Sequence, residues 1–336
     1  MRQGYNPHKD QVHQEEYYFH QVIIPVFIPH DQDYYRDAFK ILQRCIESLL
    51  ATSHERTFFT IVNNGSHAPI VQYLDTLLEQ NKIHELIHTH NIGKLNAIFK
   101  GLSGNNIELV TIADSDVLFL SGWQLETNRV FSHFPKAGVV GIVPQYRVFL
   151  SYCNNAIFDT FFTRKLKWLP VKNPEALKLF YKSLGWDDNA NPDYLKLTLG
   201  FETQDQFKAY LGSGHFVATY KKQMFDEMIT YMPFKMGGYS ETYLDTIPLK
   251  KDYWRLTTYD NYAYHMGNVY EPWMDDVSFS RDSVQLFQTQ FPVYQNCNKL
   301  IYFIKNHIFK KFMKSKKFRM LFYSYKGLPK EMVAKY

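Results

Sequence analysis

Asp114 and Asp116 are carboxylates one residue apart, and they close the apolar run Leu109-Val-Thr-Ile-Ala113. A continuous apolar, β-branched run of that length reads as a buried parallel strand. Ligands in open α/β sheets gather outside the carboxyl ends of the strands, where both aspartates fall. Carboxylates this close repel each other, and a cation beside them removes the repulsion. The chemistry expected is a divalent metal with a diphosphate. The competing reading is a turn in which Asp and Ser cap backbone groups. Two other segments share the pattern. Asn63-Asn64-Gly65-Ser66 ends the apolar run Thr57–Val62, and Gly93-Lys94 opens a helix, offering backbone N–H groups and a cation to a phosphate. Each alone reads as a loop or a solvated helix start. The inference rests on all three meeting at one edge of one sheet.

The elements that must position these groups alternate. A short strand near His20–Phe27 carries Pro25, which marks an edge or the end of pairing. Helical periodicity follows from Tyr35 to Leu50, then the strand 57–62, a helix near 68–80, a third strand near 83–88, the helix opened by Lys94, and the strand ending at Asp114. This β-α-β-α-β-α-β order predicts an α/β fold: a Rossmann-like, mostly parallel sheet flanked by helices. Further on, Gly138–Val143 reads as a strand, and a helix is expected near Gln223–Ile229. The loop Asp187–Asp193 is acidic but lacks the glycine and terminal glutamate of a helix–loop–helix calcium site, so it reads as solvated.

The chain has 336 residues, enough for one large domain or two small ones. Three cysteines (Cys45, Cys153, Cys297) at wide spacing argue against a disulfide scaffold and for a reducing compartment. Residues 1–19 read as a polar leader without the features of a secretory signal, and no apolar run is long enough to span a bilayer. The expected location is cytoplasmic. The net charge of +5 hides an asymmetry: residues 283–336 hold 11 of the 38 Lys/Arg and one of the 33 acids, leaving 27 bases against 32 acids elsewhere. A mildly acidic body with a basic tail points to an anionic partner for the tail.

The sequence resembles a family 2 glycosyltransferase of the GT-A fold, a nucleotide-sugar-dependent class. The matching pieces are Val22-Ile-Ile-Pro-Val26 with Arg44–Leu50, Ile61–Ser66, Asn91-Ile-Gly-Lys-Leu-Asn-Ala97 and Asp114-Ser-Asp116, in the family order over about residues 20–145. The resemblance implies a donor pocket lined by Pro25, Val26 and Phe27. Asn63 or Asn64 would stand where the family has a base-facing aspartate, a departure that leaves an amide to pair with the base. Lys94 would face the diphosphate, Asp114 and Ser115 the ribose or sugar, and Asp116 the metal. The glycine-bearing segment Leu211–Val217 resembles the family's strand near donor and acceptor, which brings in Gly214. Ser240-Glu241 stands where the family has Glu-Asp, so Glu241 would be the general base, with Asp245 one turn later as the alternative. His265 would be a late metal or diphosphate contact. The cofactors implied are Mn²⁺ or Mg²⁺ and a nucleoside-diphosphate sugar, with a UDP-sugar preferred.

This reading divides the chain into the leader, a domain over 20–282 (nucleotide half 20–145, acceptor half 146–282) and the tail 283–336. In the tail, Ile301, Ile304, Ile308, Phe312 and Phe309/Met313 recur at helical spacing among seven Lys/Arg between 305 and 319. That composition suits an amphipathic helix over 299–323 on an anionic membrane. A helix packed on the domain is the competing reading, and no nucleic-acid fold motif accompanies the charge. The function expected is an inverting, metal-dependent transfer to a glycan or lipid-linked hydroxyl at the cytoplasmic face of the inner membrane, in surface polysaccharide or glycolipid assembly. Two rivals remain. A nucleotidyltransferase would carry a glycine-rich loop after the first strand, and Ile28–Asp33 holds no glycine. A non-catalytic sugar-binding scaffold is kept open by Asn63-Asn64 and by the lack of an acid after Glu241.

Overall fold

The computed structural model describes residues 4, 5, 9, 17–186, 191–237, 239–283, 287–291, 294 and 298–336. Most of the leader, Asp187–Ala190 of the acidic loop, Gly238 and Cys297 lie outside the described residues. The first half runs β1 (His20–Val26), α1 (Ala38–Thr52), β2 (Thr57–Asn63), α2 (Ala68–Glu79), β3 (Glu85–His88), α3 (Lys94–Leu102), β4 (Leu109–Ala113), β5 (Val117–Phe119), α4 (Trp123–His133) and β6 (Ala137–Gly141). The second half adds α5 (Asn154–Asp159), β7 (Leu166–Pro170), α6 (Pro174–Ser183), β8 (Leu197–Glu202), β9 (Lys208–Leu211), β10 (Val217–Lys221), α7 (Tyr239–Lys250), β11 (Trp254–Thr258) and β12 (Ala263–His265). Short helices close the chain: α8 (Lys299–Phe303), a π-helical turn (Ile304–Phe309), α9 (Lys310–Lys314), α10 (Lys316–Tyr325) and α11 (Lys330–Val333).

Ten strands form one sheet in the order β3-β2-β1-β4-β10-β6-β11-β9-β8-β7, and β5 pairs with β12 in a separate ribbon. The ladders make β7, β9 and β10 run against the other seven. In β1, the period-two alternation sends Val22, Ile24 and Val26 to a core with α1 and α2, while Ile23 faces the core of α3 and α7. Helices therefore cover both faces. Pro25 pairs with Val62 of β2, but pairing with β4 stops at Ile23, so the missing N–H falls beyond that ladder.

Two expectations are corrected. Residues 223–229 form no α-helix; only a 3₁₀ turn spans Lys222–Phe225. The tail is not one amphipathic helix either, because its apolar residues are divided between two faces. Phe309, Met313, Phe322 and Tyr323 are buried against β7, β8 and β11, whereas Leu300, Phe303, Ile308, Phe312 and Leu321 are exposed. The chain breaks at Ser315, whose ψ is 122°. Lys305 is buried, with its ammonium 2.5 Å from Asp159 and 3.1 Å from Asp252, both of which also pair with Lys136. Among the described residues, no helix is long and apolar enough to cross a membrane.

Candidate active site

β4 ends at Ala113 and delivers Asp114 to the sheet edge, where its N–H donates to the Phe216 carbonyl at 2.8 Å. The chain turns at Ser115 into β5. Its ladder to β12 pairs Val117 with His265, and the Met266 N–H donates to the Asp116 carbonyl at 2.8 Å. That ribbon brings His265, 149 residues later, to 3.4 Å from the Asp116 carboxylate. The other ring nitrogen of His265 lies 2.8 Å from Ser183 Oγ, which fixes the ring. From the other side, Lys94 reaches Asp114 at 2.5 Å.

Lys94 stands at the start of α3 because Gly93 before it adopts φ 91° and ψ 150°, a region essentially restricted to glycine. A Cβ on Gly93 would meet Lys235 Cα at 2.8 Å. The segment 232–236 closes over this helix start: the Lys94 N–H donates to the Lys235 carbonyl at 2.8 Å, and Asn96 exchanges two hydrogen bonds with the Met232 backbone.

These groups face a cleft of about 240 Å³. Of the expected donor residues, Pro25, Val26, Phe27, Asn64, Lys94, Asp114, Ser115 and Asp116 line it. Asn63 does not. It is buried, its Oδ1 accepts from the Ser66 N–H and its amide nitrogen lies 2.9 Å from His88, so it shapes the turn. Gly214 lines the adjoining cleft of about 660 Å³, together with His215, His265, Tyr146, Tyr181 and Trp186. Tyr34, Tyr35, Met236, Gly267 and Asn268 also line the first cleft, and sequence reasoning missed them. Their approach depends on contacts far apart in the chain, for which no local pattern exists.

Burial raises the Asp116 pKa; His265 opposes the rise and Asp114 adds to it. Burial works against the charge on Lys94, yet Asp114 outweighs it and the net shift is upward. One oxygen of Asp116 (Oδ1) is buried without a hydrogen-bond partner. An orphaned carboxylate oxygen beside an imidazole, facing a cleft, fits a divalent cation. Among the described residues, no group of three or more His, Cys, Asp or Glu converges as a complete metal site. Asp116 and His265 as protein ligands would leave further positions open, an arrangement that Mg²⁺ and Mn²⁺ accept.

The expected bases lie on the first turns of α7. Glu241 Oε2 is 3.6 Å from His215 Nε2, and Asp245 Oδ2 is 3.3 Å from His215 Nδ1. Asp245 Oδ1 lies 2.5 Å from the Arg255 guanidinium. Both Asp245 oxygens are thus engaged, while Glu241 is more open, its side chain 38 % exposed.

The model of glycosyl transferase family 2 matches residues 22–180, a span that contains the whole Lys94–Asp114–Asp116 arrangement. Residues 22–180 belong to glycosyl transferase family 2. No curated protein matches the chain. Among solved structures, the mannosyltransferase PcManGT from Pyrobaculum calidifontis, in complex with GDP-Man and Mn²⁺, is 14 % identical at a TM-score of 0.44, over 74 % of this chain and 56 % of that one. S. aureus TarS 1-349 is 14 % identical at 0.41, over 74 % and 60 %. The same protein with UDP-GlcNAc is 14 % identical at 0.41, over 75 % and 61 %. The chain therefore spans about 60 % of the length of these structures.

Proposed function

We propose that the protein transfers a sugar from a nucleoside-diphosphate sugar to a hydroxyl acceptor, with inversion at the anomeric carbon. The observation that carries this is the family 2 span holding Lys94, Asp114 and the orphaned Asp116 oxygen in one cleft beside His265. The Pro25–Ile28 backbone and the rings of Tyr34 and Tyr35 would enclose the nucleoside, with Asn64 offering an amide to a base edge. A UDP-sugar is the preferred donor class. Lys94 would meet the diphosphate. Asp116 and His265 would hold Mg²⁺ or Mn²⁺, which when bound neutralises charge on the leaving group.

The acceptor would enter through the larger cleft. Glu241 would take the proton of its hydroxyl as that oxygen bonds to C1, while the bond from C1 to the phosphate oxygen breaks and its electron pair leaves with the diphosphate. Exposed Leu300, Phe303, Phe312 and Leu321, set among exposed Lys311, Lys314, Lys316 and Lys317, suit an anionic membrane surface. That face supports a lipid-linked or surface-glycan acceptor at the cytoplasmic side of the inner membrane.

The decisive assay is nucleoside-diphosphate release from UDP-, GDP- and dTDP-sugars with Mn²⁺, Mg²⁺ or EDTA, for wild type and Asp116→Ala. Metal-dependent release from one donor, lost in the variant, is expected, and slow donor hydrolysis requires no known acceptor. No release, together with no metal-dependent nucleotide binding by calorimetry, would overturn the proposal and favour a sugar-binding scaffold.

A further inference from the structure

His215 lines the larger cleft and stands between the two carboxylates of α7. We infer that His215 is a positioning residue of the transfer, an imidazole held by Asp245 that orients Glu241 beside the cleft. The inference rests on the reading of Glu241 as the base.

The placement is built from three elements. Arg255 of β11 is 2 % exposed, and its Nη2 donates both to the Ser213 carbonyl and to Asp245 Oδ1. One guanidinium thereby ties the loop before β10 to α7. The loop is pressed close to its surroundings: Gly212 has φ 104°, and a Cβ there would lie 2.6 Å from Val148. His215 leaves this loop with Nδ1 3.3 Å from Asp245, whose other oxygen Arg255 already fixes. Nε2 is then directed at Glu241, at 3.6 Å.

The charged groups facing the ring are Asp245 and Glu241 on α7 and Lys94 on α3. Burial works against the imidazolium, and so does Lys94. The Asp245 hydrogen bond and charge, aided by Glu241, outweigh them, and the net shift is upward. Contact of the ring with one Glu241 oxygen leaves the other for the acceptor hydroxyl. The ring occupies the place of an orienting group: it fixes the base and does not itself take the proton.

The experiment follows the His215 ring signal by NMR against pH in the full chain, assigned by its loss in His215→Gln. The expected result is titration above the ordinary histidine range in wild type, and lower in Asp245→Asn and in Glu241→Gln. Asp245→Asn strips Arg255 of a partner and can unfold the chain; Glu241→Gln alters only a partly exposed side chain and keeps the test decisive. A His215 titration at or below the ordinary range, or one unmoved by Glu241→Gln, would overturn the inference. On nucleoside-diphosphate release from the active donor, His215→Gln is expected to lower kcat about 10- to 100-fold, with donor KM within about twofold. Glu241→Gln with full turnover would instead refute the base reading, whatever the ring titration shows.

Discussion

Replacing Lys305 with Met removes a cation that pairs with two nearly buried carboxylates. Its side chain is 5 % exposed, and those of Asp252 and Asp159 are 1 % and 16 %. Breaking one partner of a buried pair costs about 3–5 kcal/mol, because the remaining charge is left uncompensated. Lys136 still lies 3.0 Å from Asp252 and pairs with Asp159, which places the expected loss near the lower end, about 3 kcal/mol. The methionine keeps the apolar stem, so lost packing adds little. The control is Lys317→Gln, an exposed site where about 0.5 kcal/mol or less is expected. Urea unfolding followed by circular dichroism and by tryptophan fluorescence checks both variants. Coincidence of the two probes tests whether a single free energy is defined. Equal stability of the two variants would refute the docking of the tail through this cluster.

Two other outcomes are expected. Lys221 is fully buried, with its ammonium on the Pro135 carbonyl at 2.8 Å, and burial pushes its pKa down to about 8. Below that pH it is charged in both folded and unfolded states, a constant cost. Between about 8 and 10.4 only the unfolded chain keeps the proton, so stability rises with pH, by about 3 kcal/mol in all. Lys221→Met should lack this rise relative to wild type in urea unfolding at pH 7.5 and 9.5; parallel behaviour would contradict it. Wild type should also co-sediment with vesicles rich in phosphatidylglycerol and not with phosphatidylcholine alone, and Phe303→Ser with Phe312→Ser should lose this without loss of stability. Binding unchanged in that double variant would remove the membrane face.

The strand order of the first half was legible because its information is local. The run Leu109–Ala113 marks a buried strand and fixes where Asp114 and Asp116 emerge, and the structure sets eight of the expected donor residues around one cleft. Where two asparagines stood side by side, the sequence left both open. Burial and the Ser66 and His88 contacts make Asn63 a turn former and leave Asn64 to the cleft. The tail misled in a physical way: a helical period says that some face is apolar, not how many partners share it. Phe309 faces the domain and Phe312 faces out, and the buried Lys305 has no signature in a pattern of charge. His215 was read as part of a glycine-bearing strand. Its position between Glu241 and Asp245 depends on Arg255, 40 residues on.

The placing of β10 has a consequence for synthesis. The central strand β4 has β1 on one side and antiparallel β10 on the other, and β10 is also the only link from β4 to β6 in the described sheet. β10 begins at Val217, roughly 100 residues after β4 ends at Ala113. Until then a ribosome-bound nascent chain presents β4 as an open, apolar strand edge, the kind of surface that invites mispairing and chaperone capture. The first cleft waits longer, because Gly267 and Asn268 form part of its wall. Fragments that end after β6 would carry nearly every residue of the nucleotide motifs and still lack a finished pocket. A fragment cut at that point would leave this cleft without the wall that residues 267 and 268 supply.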